Sequence, residues 1–101
     1  MSSNLKYASS FGDARRLFNL LFASPSLTLS RSMEEVLSNG FNVETISSGW
    51  DAQSVIEQHN FDIIVLDADL PGHSGFALLR WMQQQKHQGV ILLLHSAADR
   101  D

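Results

Sequence analysis

The most constraining feature of the sequence is a short apolar run that ends in acidic and turn-forming residues. Residues 62–75 read DIIVLDADLPGHSG, and the apolar run at 63–66 stops at Asp67. A short β-branched run bounded by turn residues predicts a strand buried on both faces, as strands are in a parallel sheet. In open α/β sheets the functional groups lie just beyond the carboxyl ends of the strands. Asp67 and Asp69 are therefore the first candidate functional residues.

Length and composition favour one globular domain. The chain has 101 residues, of which 44% are hydrophobic and 18% charged, enough for a single domain with a modest core. The formal net charge of −4 argues against direct nucleic-acid binding by this segment. Without cysteine, disulfides and thiolate metal sites are excluded. The sequence shows neither a secretory leader nor a run of about 20 apolar residues, so we expect a cytosolic protein with no membrane contact.

Strand-type and helix-type segments alternate along the chain. We predict strands at 17–23, 41–47, 62–67 and 90–95. We predict helices between 24–26 and 39–40, at 50–59, and from 75 to about 86. Near-continuous apolar strands separated by helices indicate a parallel sheet with helices on both faces. Right-handed crossovers then favour an α/β, flavodoxin-like, doubly wound fold of four strands in the order 2-1-3-4, lacking a fifth strand.

Two further expectations concern the ends of the chain and the helix surfaces. Residues 1–15 are expected to be an N-terminal extension, and 16–101 the domain itself. Trp50 and Trp81 are interpreted as partly packed anchors. The first helix carries apolar residues at roughly helical spacing, which predicts a core-facing side made of Leu27, Leu29, Met33, Val36 and Leu37.

Four pieces of the sequence, in order and at plausible spacing, resemble the receiver domain of response regulators. They are GFNVETISSGWDA, DIIVLDADLPGHSG, FALLRWMQ and VILLLHSAAD. The resemblance implies a CheY-like fold in which Asp67 has the place of the aspartate phosphorylated by a histidine kinase. It places Asp69 where a backbone carbonyl contacts Mg²⁺. It also places Ser96 where a hydroxyl contacts the phosphoryl group, although the residue itself is more typical of a cap on a following helix.

The departures from the family pattern concern the metal and the phosphoryl group. Ala23 and Ser24 occupy the positions at which active receivers have two acidic residues that hold Mg²⁺. The family's phosphoryl-binding lysine ends a fifth strand, and the chain stops at Asp101 before such a strand. We therefore expect an atypical, C-terminally truncated receiver with no cofactor. Mg²⁺ would bind only if the site is not degenerate.

Three functions stay open at this point, and none of them is enzymatic. The first is a signalling module, part of a regulator whose output domain controls transcription, acting mainly through protein contacts. The second is a working phosphoacceptor at Asp67, although a carboxylate at that position could also simply cap a turn. The third is a flavodoxin-like small-ligand binder.

The expected partners are proteins, namely a histidine kinase or an effector domain. The fourth strand would be an edge with apolar residues on both faces, and such edges tend to pair with other chains. A homodimer through the fourth strand is therefore expected. The four histidines are interpreted as surface or loop residues, and His73 is the one expected near the Asp67 pocket.

Overall fold

Strands and helices alternate throughout the part of the chain that a computed structural model describes, residues 17–95. The predicted extension 1–15 and Ser96 lie outside these residues. The elements begin and end within about two residues of the predicted bounds. They are β1 (Phe18–Ala23), α1 (Leu27–Leu37), β2 (Phe41–Ile46), α2 (Gly49–Gln58), β3 (Ile63–Asp67), α3 (Gly75–Gln84) and β4 (Val90–Leu94).

The four strands form one parallel sheet in the order β2-β1-β3-β4, which confirms the predicted α/β topology. The register places Ala23 of β1 beside Leu66 of β3, and Asp67 beside Leu94 of β4. The carboxyl ends of β1, β3 and β4 therefore meet around Asp67. None of the helices in the described part of the chain has the length and apolar character that a bilayer crossing needs.

Each helix begins with a serine cap at the carboxyl edge of the sheet. The hydroxyl oxygens of Ser26, Ser48 and Ser74 accept hydrogen bonds from backbone N–H groups three residues later, at 3.1, 3.3 and 3.2 Å. A serine cap satisfies one of the first-turn N–H groups that a helix leaves without a partner. The caps thus fix where the strand-to-helix loops end, and two of these loops, those after β1 and β3, contact Asp67 through Ser24 and Asp69.

The core has two layers, one on each face of the sheet. The larger layer lies under α2 and α3, and the smaller one lies under α1. The larger cluster of buried side chains contains Leu21, Ala23, Ala52, Ile56, Phe61, Ile64, Leu66, Leu70, Leu78 and Met82, and the smaller one contains Leu20, Phe22 and Val65.

The apolar side of α1 is narrower than predicted. Met33 and Leu37 pack on the smaller cluster and Ser30 is buried, as residues spaced i, i+3 and i+7 share one helix face. Leu27, Leu29 and Val36, which were expected to face the core, are exposed. The spacing was only roughly helical, and these residues lie to either side of the buried face.

One region on the α1 side of the sheet is left uncovered within the described residues. Along β4, Ile91 and Leu93 pack against the larger cluster, whereas alternate residues point to the opposite face. Leu92 there is 51% exposed. We call this region the α1–β4 surface, and it consists of Leu29, Val90, Leu92 and Leu94.

Candidate functional site

Asp67 is the last residue of β3, and it lies half-buried between the ends of β1 and β4. Two backbone hydrogen bonds hold the chain at this point, one within the loop that follows and one to β4. The carbonyl oxygen of Asp67 accepts a hydrogen bond from the N–H of Leu70 at 3.3 Å. The N–H of Ala68 donates to the carbonyl oxygen of Leu94 at 2.8 Å. The carboxylate therefore projects from a fixed point at the sheet edge.

Ser24 makes the most informative contact with this carboxylate. Its hydroxyl donates a hydrogen bond to Oδ2 of Asp67 at 3.0 Å, and the serine is only 1% exposed. The same Oγ accepts a hydrogen bond from the N–H of Ser26 at 3.1 Å. Since the Oγ already accepts from Ser26, its own proton is free to point at Asp67. Ser24 thus serves as a neutral donor to the carboxylate.

The second carboxylate oxygen is also engaged. Oδ1 of Asp67 accepts a hydrogen bond from the N–H of Asp69 at 2.9 Å, the local contact by which Asx side chains stabilise turns. Both oxygens of the carboxylate therefore accept hydrogen bonds from uncharged groups. The side chain of Asp69 is itself exposed.

Gly75 brings the start of α3 close against the end of β3. A Cβ at this position would overlap the backbone carbonyl of Asp67 and lie 2.9 Å from the Cα of Ala68. The N–H of Gly75 also donates to the carbonyl oxygen of Ala68 at 3.2 Å. The glycine thus permits a short loop from Asp67 to the helix that follows.

An open cavity of about 340 Å³ lies in front of the carboxylate. Leu29 and Leu94 contribute its apolar wall, so the cavity is continuous with the α1–β4 surface. Within residues 17–95, no group of three or more His, Cys, Asp or Glu side chains is arranged to hold a metal ion. The cavity is lined by Pro25, Leu29, Asp67, Asp69, Leu94 and His95.

The structure brings together Asp67, Asp69 and Ser24, three of the residues singled out from the sequence. Ala23 is fully buried in the larger core cluster and offers no side-chain donor or acceptor. Ser96 lies beyond the described residues, so its predicted role is untested.

The structure places a different histidine at the Asp67 cavity from the one that the sequence predicted. His73 does not line the Asp67 cavity, and it stacks on Trp50. His95 does line the cavity. A sequence signal existed for His95, because it directly follows β4 and therefore belongs at the same sheet edge as Asp67.

Comparison with known proteins places the chain in a family. Residues 26–101, well over half of the chain, match the response regulator receiver domain. The chain belongs to this family. The receiver domain is 31% identical over 82 residues to "Probable transcriptional regulator ycf29" of Pyropia yezoensis, covering 80% of this chain and 37% of that protein. It is 32% identical over 80 residues to "Cell cycle response regulator CtrA" of Brucella ovis, covering 78% and 34%. It therefore spans about a third of the length of these relatives.

Solved receiver structures share the fold. The receiver domain of Francisella response regulator 1452 aligns with a TM-score of 0.76 at 21% identity, covering 82% of this chain and 69% of that one. A CheY-like receiver domain from Methylobacillus flagellatus aligns with a TM-score of 0.73 at 21% identity, covering 85% and 76%. At this identity the likeness concerns the fold alone, and it confirms the predicted CheY-like architecture.

Proposed function

We propose that this receiver domain is an atypical signalling module, one that acts through protein contacts and takes up little or no phosphoryl group at Asp67. The observation that carries the proposal is the hydrogen bond from Ser24 to Asp67. By the resemblance to active receivers, Ser24 has the place of an acidic residue, so the group that contacts Asp67 from this position is an uncharged donor. The module has no enzymatic role in this proposal.

The side chains near Asp67 are poorly suited to hold a metal ion. Mg²⁺ demands octahedral oxygen ligation and is usually held by one or two carboxylates together with water and substrate phosphate. Of the two positions that hold the family's acidic pair, Ala23 has no ligand atom and Ser24 directs its proton at Asp67. The residues present therefore fit a Mg²⁺ ion poorly.

The charges around Asp67 also disfavour phosphoryl transfer. Phosphoryl transfer depends mainly on positioning and on cations that neutralise the charge developing on the transferred group. Neither Lys nor Arg lines the Asp67 cavity among the described residues, whereas Asp69 lies in its wall. Asp67 is thus a nucleophile of the right type with little electrostatic support around it.

The second candidate function is that of a phosphoacceptor in which a histidine kinase phosphorylates Asp67. One observation favours it. Asp67 opens into a cavity of about 340 Å³, which leaves room for a phosphoryl group in front of its carboxylate. The two candidates differ in whether the neutral donors around Asp67 suffice for the reaction.

Intact mass measurement after treatment with acetyl phosphate and Mg²⁺ decides between them. We expect no increase in mass by one phosphoryl group. Asp67→Asn is the control that assigns any adduct to this carboxylate. A near-stoichiometric adduct that disappears in Asp67→Asn would overturn the proposal and establish the phosphoacceptor instead.

We further propose that the partners of this module are proteins, among them a kinase or effector domain and a second copy of the chain. The two edges of the sheet differ. The β2 edge carries the exposed polar residues Asn42 and Glu44, whereas β4 reads VILLL without a charged residue. Charged side chains blunt an edge strand, and an apolar edge without them is prone to pair. Antiparallel pairing of two β4 edges across a two-fold axis would form one continuous sheet.

The output of the full regulator is also a proposal. The relative from Pyropia yezoensis is named a probable transcriptional regulator, which favours transcriptional control as the output. Residues 32–79 carry eight Asp or Glu and neither Lys nor Arg, so we propose that DNA contact belongs to another part of the protein. The cytoplasmic location expected from the sequence stays a prediction.

A further inference from the structure

An exposed tryptophan stands beside the loop that follows Asp67. The indole ring of Trp50 stacks on the imidazole ring of His73, with 4.2 Å between ring centroids and 6° between planes. Trp50 is nevertheless 59% exposed. One face of the indole is therefore covered by His73, and much of the remaining ring faces solvent.

The backbone around this pair is arranged to keep the ring in place. Gly72 has a φ of +84°, and a Cβ there would lie 2.8 Å from Cδ1 of Trp50. The indole thus rests directly on the glycine backbone. The N–H of Gly49 donates to the carbonyl oxygen of Pro71 at 2.9 Å, and a Cβ on Gly49 would overlap the carbonyl of His73. The start of α2 and the β3–α3 loop therefore form one close-packed unit.

An exposed ring that is already held in position has an advantage in binding. Association costs side-chain freedom, and this cost is smaller when the side chain is fixed beforehand. Tryptophan is also among the residues enriched at the centres of protein interfaces. Trp81, by contrast, is partly buried against the larger core cluster. Core packing is therefore a sufficient reason for a tryptophan at that position.

The charge around Trp50 indicates what kind of partner it fits. Asp51 follows it in the first turn of α2 and is exposed. The two segments that meet at the Trp50–His73 stack, α2 and the β3–α3 loop, carry the acidic residues Asp51, Glu57 and Asp69 and neither Lys nor Arg. Asp51 is the one next to Trp50 in the chain, and a carboxylate attracts basic groups. Among these, the planar guanidinium of arginine both stacks on an indole face and pairs with a carboxylate.

We propose that Trp50, backed by His73 and flanked by Asp51, is a docking surface for an arginine side chain presented by a partner protein. The guanidinium stacks on the free part of the indole, and the carboxylate of Asp51, the next residue of the helix, supplies an opposite charge nearby. None of the three residues lines the Asp67 cavity. This proposal therefore goes beyond the one made for Asp67 and does not depend on whether Asp67 is phosphorylated.

The two tryptophans of the chain make the proposal directly measurable, because the side-chain N–H signals of Trp50 and Trp81 report separately in ¹⁵N-resolved NMR. The probe is acetyl-triarginine amide, and acetyl-tricitrulline amide is its uncharged isostere. We expect a saturable shift of the Trp50 signal with the arginine peptide, an unchanged Trp81 signal, and no saturable shift with the citrulline peptide. Acetyl-trilysine amide should bind more weakly, since lysine lacks the planar group.

Variants of the 101-residue chain then test the two contacts. Trp50→Leu should lower the affinity for the arginine peptide about fivefold, because the cation–π attraction is lost. Binding to this variant is followed through the backbone amide signal of residue 51. Asp51→Asn should lower the affinity for the arginine peptide about threefold, as expected for the loss of one exposed charge pair. Glu34→Gln removes an exposed acid from α1 and serves as the control, with unchanged affinity. Thermal unfolding of each variant establishes that it is folded.

Three outcomes would overturn the proposal. The citrulline peptide could shift the Trp50 signal as strongly as the arginine peptide, which would remove the role of charge. Folded Trp50→Leu could bind the arginine peptide as tightly as the parent chain, which would remove the role of the indole. Glu34→Gln could weaken binding as much as Asp51→Asn, which would reduce the effect to the overall acidity of the domain.

Discussion

Ser24 and Asp67 are 43 residues apart in the sequence, yet the serine hydroxyl donates to the aspartate carboxylate at 3.0 Å. The parallel pairing of β1 with β3 causes this proximity, because both residues follow directly on paired positions of adjacent strands. A hydrogen bond to a carboxylate is stronger than one between neutral groups. The contact therefore stabilises the domain as well as shaping its site.

Removing the hydroxyl should reveal that stabilisation. Ser24→Ala leaves Oδ2 of Asp67 without its donor, and we expect the free energy of unfolding to fall by about 1–2 kcal/mol. Urea denaturation measures the change. Ser32→Ala removes an exposed hydroxyl from α1 and should have almost no effect. In a double-mutant cycle with Asp67→Ala, a coupling energy near zero would contradict the assignment of this stabilisation to the Ser24–Asp67 pair.

Replacing Ser24 by a carboxylate should make stability depend on Mg²⁺. In Ser24→Asp two carboxylates face each other, and their repulsion should lower the free energy of unfolding by roughly 1–4 kcal/mol without divalent ions. Mg²⁺ should recover this loss and shift the amide signals around Asp67, whereas the parent chain should show neither effect. Ser32→Asp is the matched control. Saturable binding by the parent chain at low-millimolar Mg²⁺ would show that Ser24 does not disable the metal site.

The strand pattern made most of the fold predictable. Continuous apolar runs such as 63–66 mark buried parallel strands, and the strand-end rule correctly placed Asp67 at the carboxyl edge of the sheet. The helix starts were also readable, because a serine precedes each helix at the cap position. These signals are local in sequence.

Features that depend on contacts between distant segments were not predictable. The stacking of Trp50 on His73 joins α2 to the β3–α3 loop, and no periodicity encodes which aromatic ring meets which. The apolar content of α1 predicted a broad buried side, but the sheet covers only a narrow face of that helix and leaves Leu29 and Val36 exposed. Which residues of a helix become buried depends on the elements that pack against it, and these are distant in sequence.

The close approach of α2 to the β3–α3 loop should make Gly49 intolerant of a side chain. In Gly49→Ala the new Cβ overlaps the His73 carbonyl. Because the backbone must shift to relieve this overlap, we expect the free energy of unfolding to fall by about 3 kcal/mol. Gly40→Ala is the matched control, since a Cβ there meets no atom within 4 Å. It should be neutral or stabilising by up to about 1 kcal/mol. Equal effects of the two substitutions in urea denaturation would refute the packing argument.

Self-association through β4 should respond to a charge on that edge and not to one on the other. Leu92→Lys puts a lysine on the exposed face of β4, and we expect it to shift a dimer to a monomer. Asn42→Lys on the β2 edge should leave the assembly unchanged. Light scattering coupled to size exclusion, across a dilution series, measures both. A parent chain that stays monomeric at every concentration while cooperatively folded would refute pairing through β4.

The hydrogen bond from the Ala68 N–H to the Leu94 carbonyl links β4, the edge at which we propose pairing, to the candidate site. Any partner that holds β4 in place also slows the opening of this bond, so the protection of the Ala68 amide against hydrogen exchange should rise when the edge is occupied. Thermodynamic coupling is reciprocal, so if pairing at β4 stabilises this bond by a given free energy, complete loss of the bond weakens the pairing by the same amount. The exchange rate of this single backbone amide would then report on communication between the two surfaces.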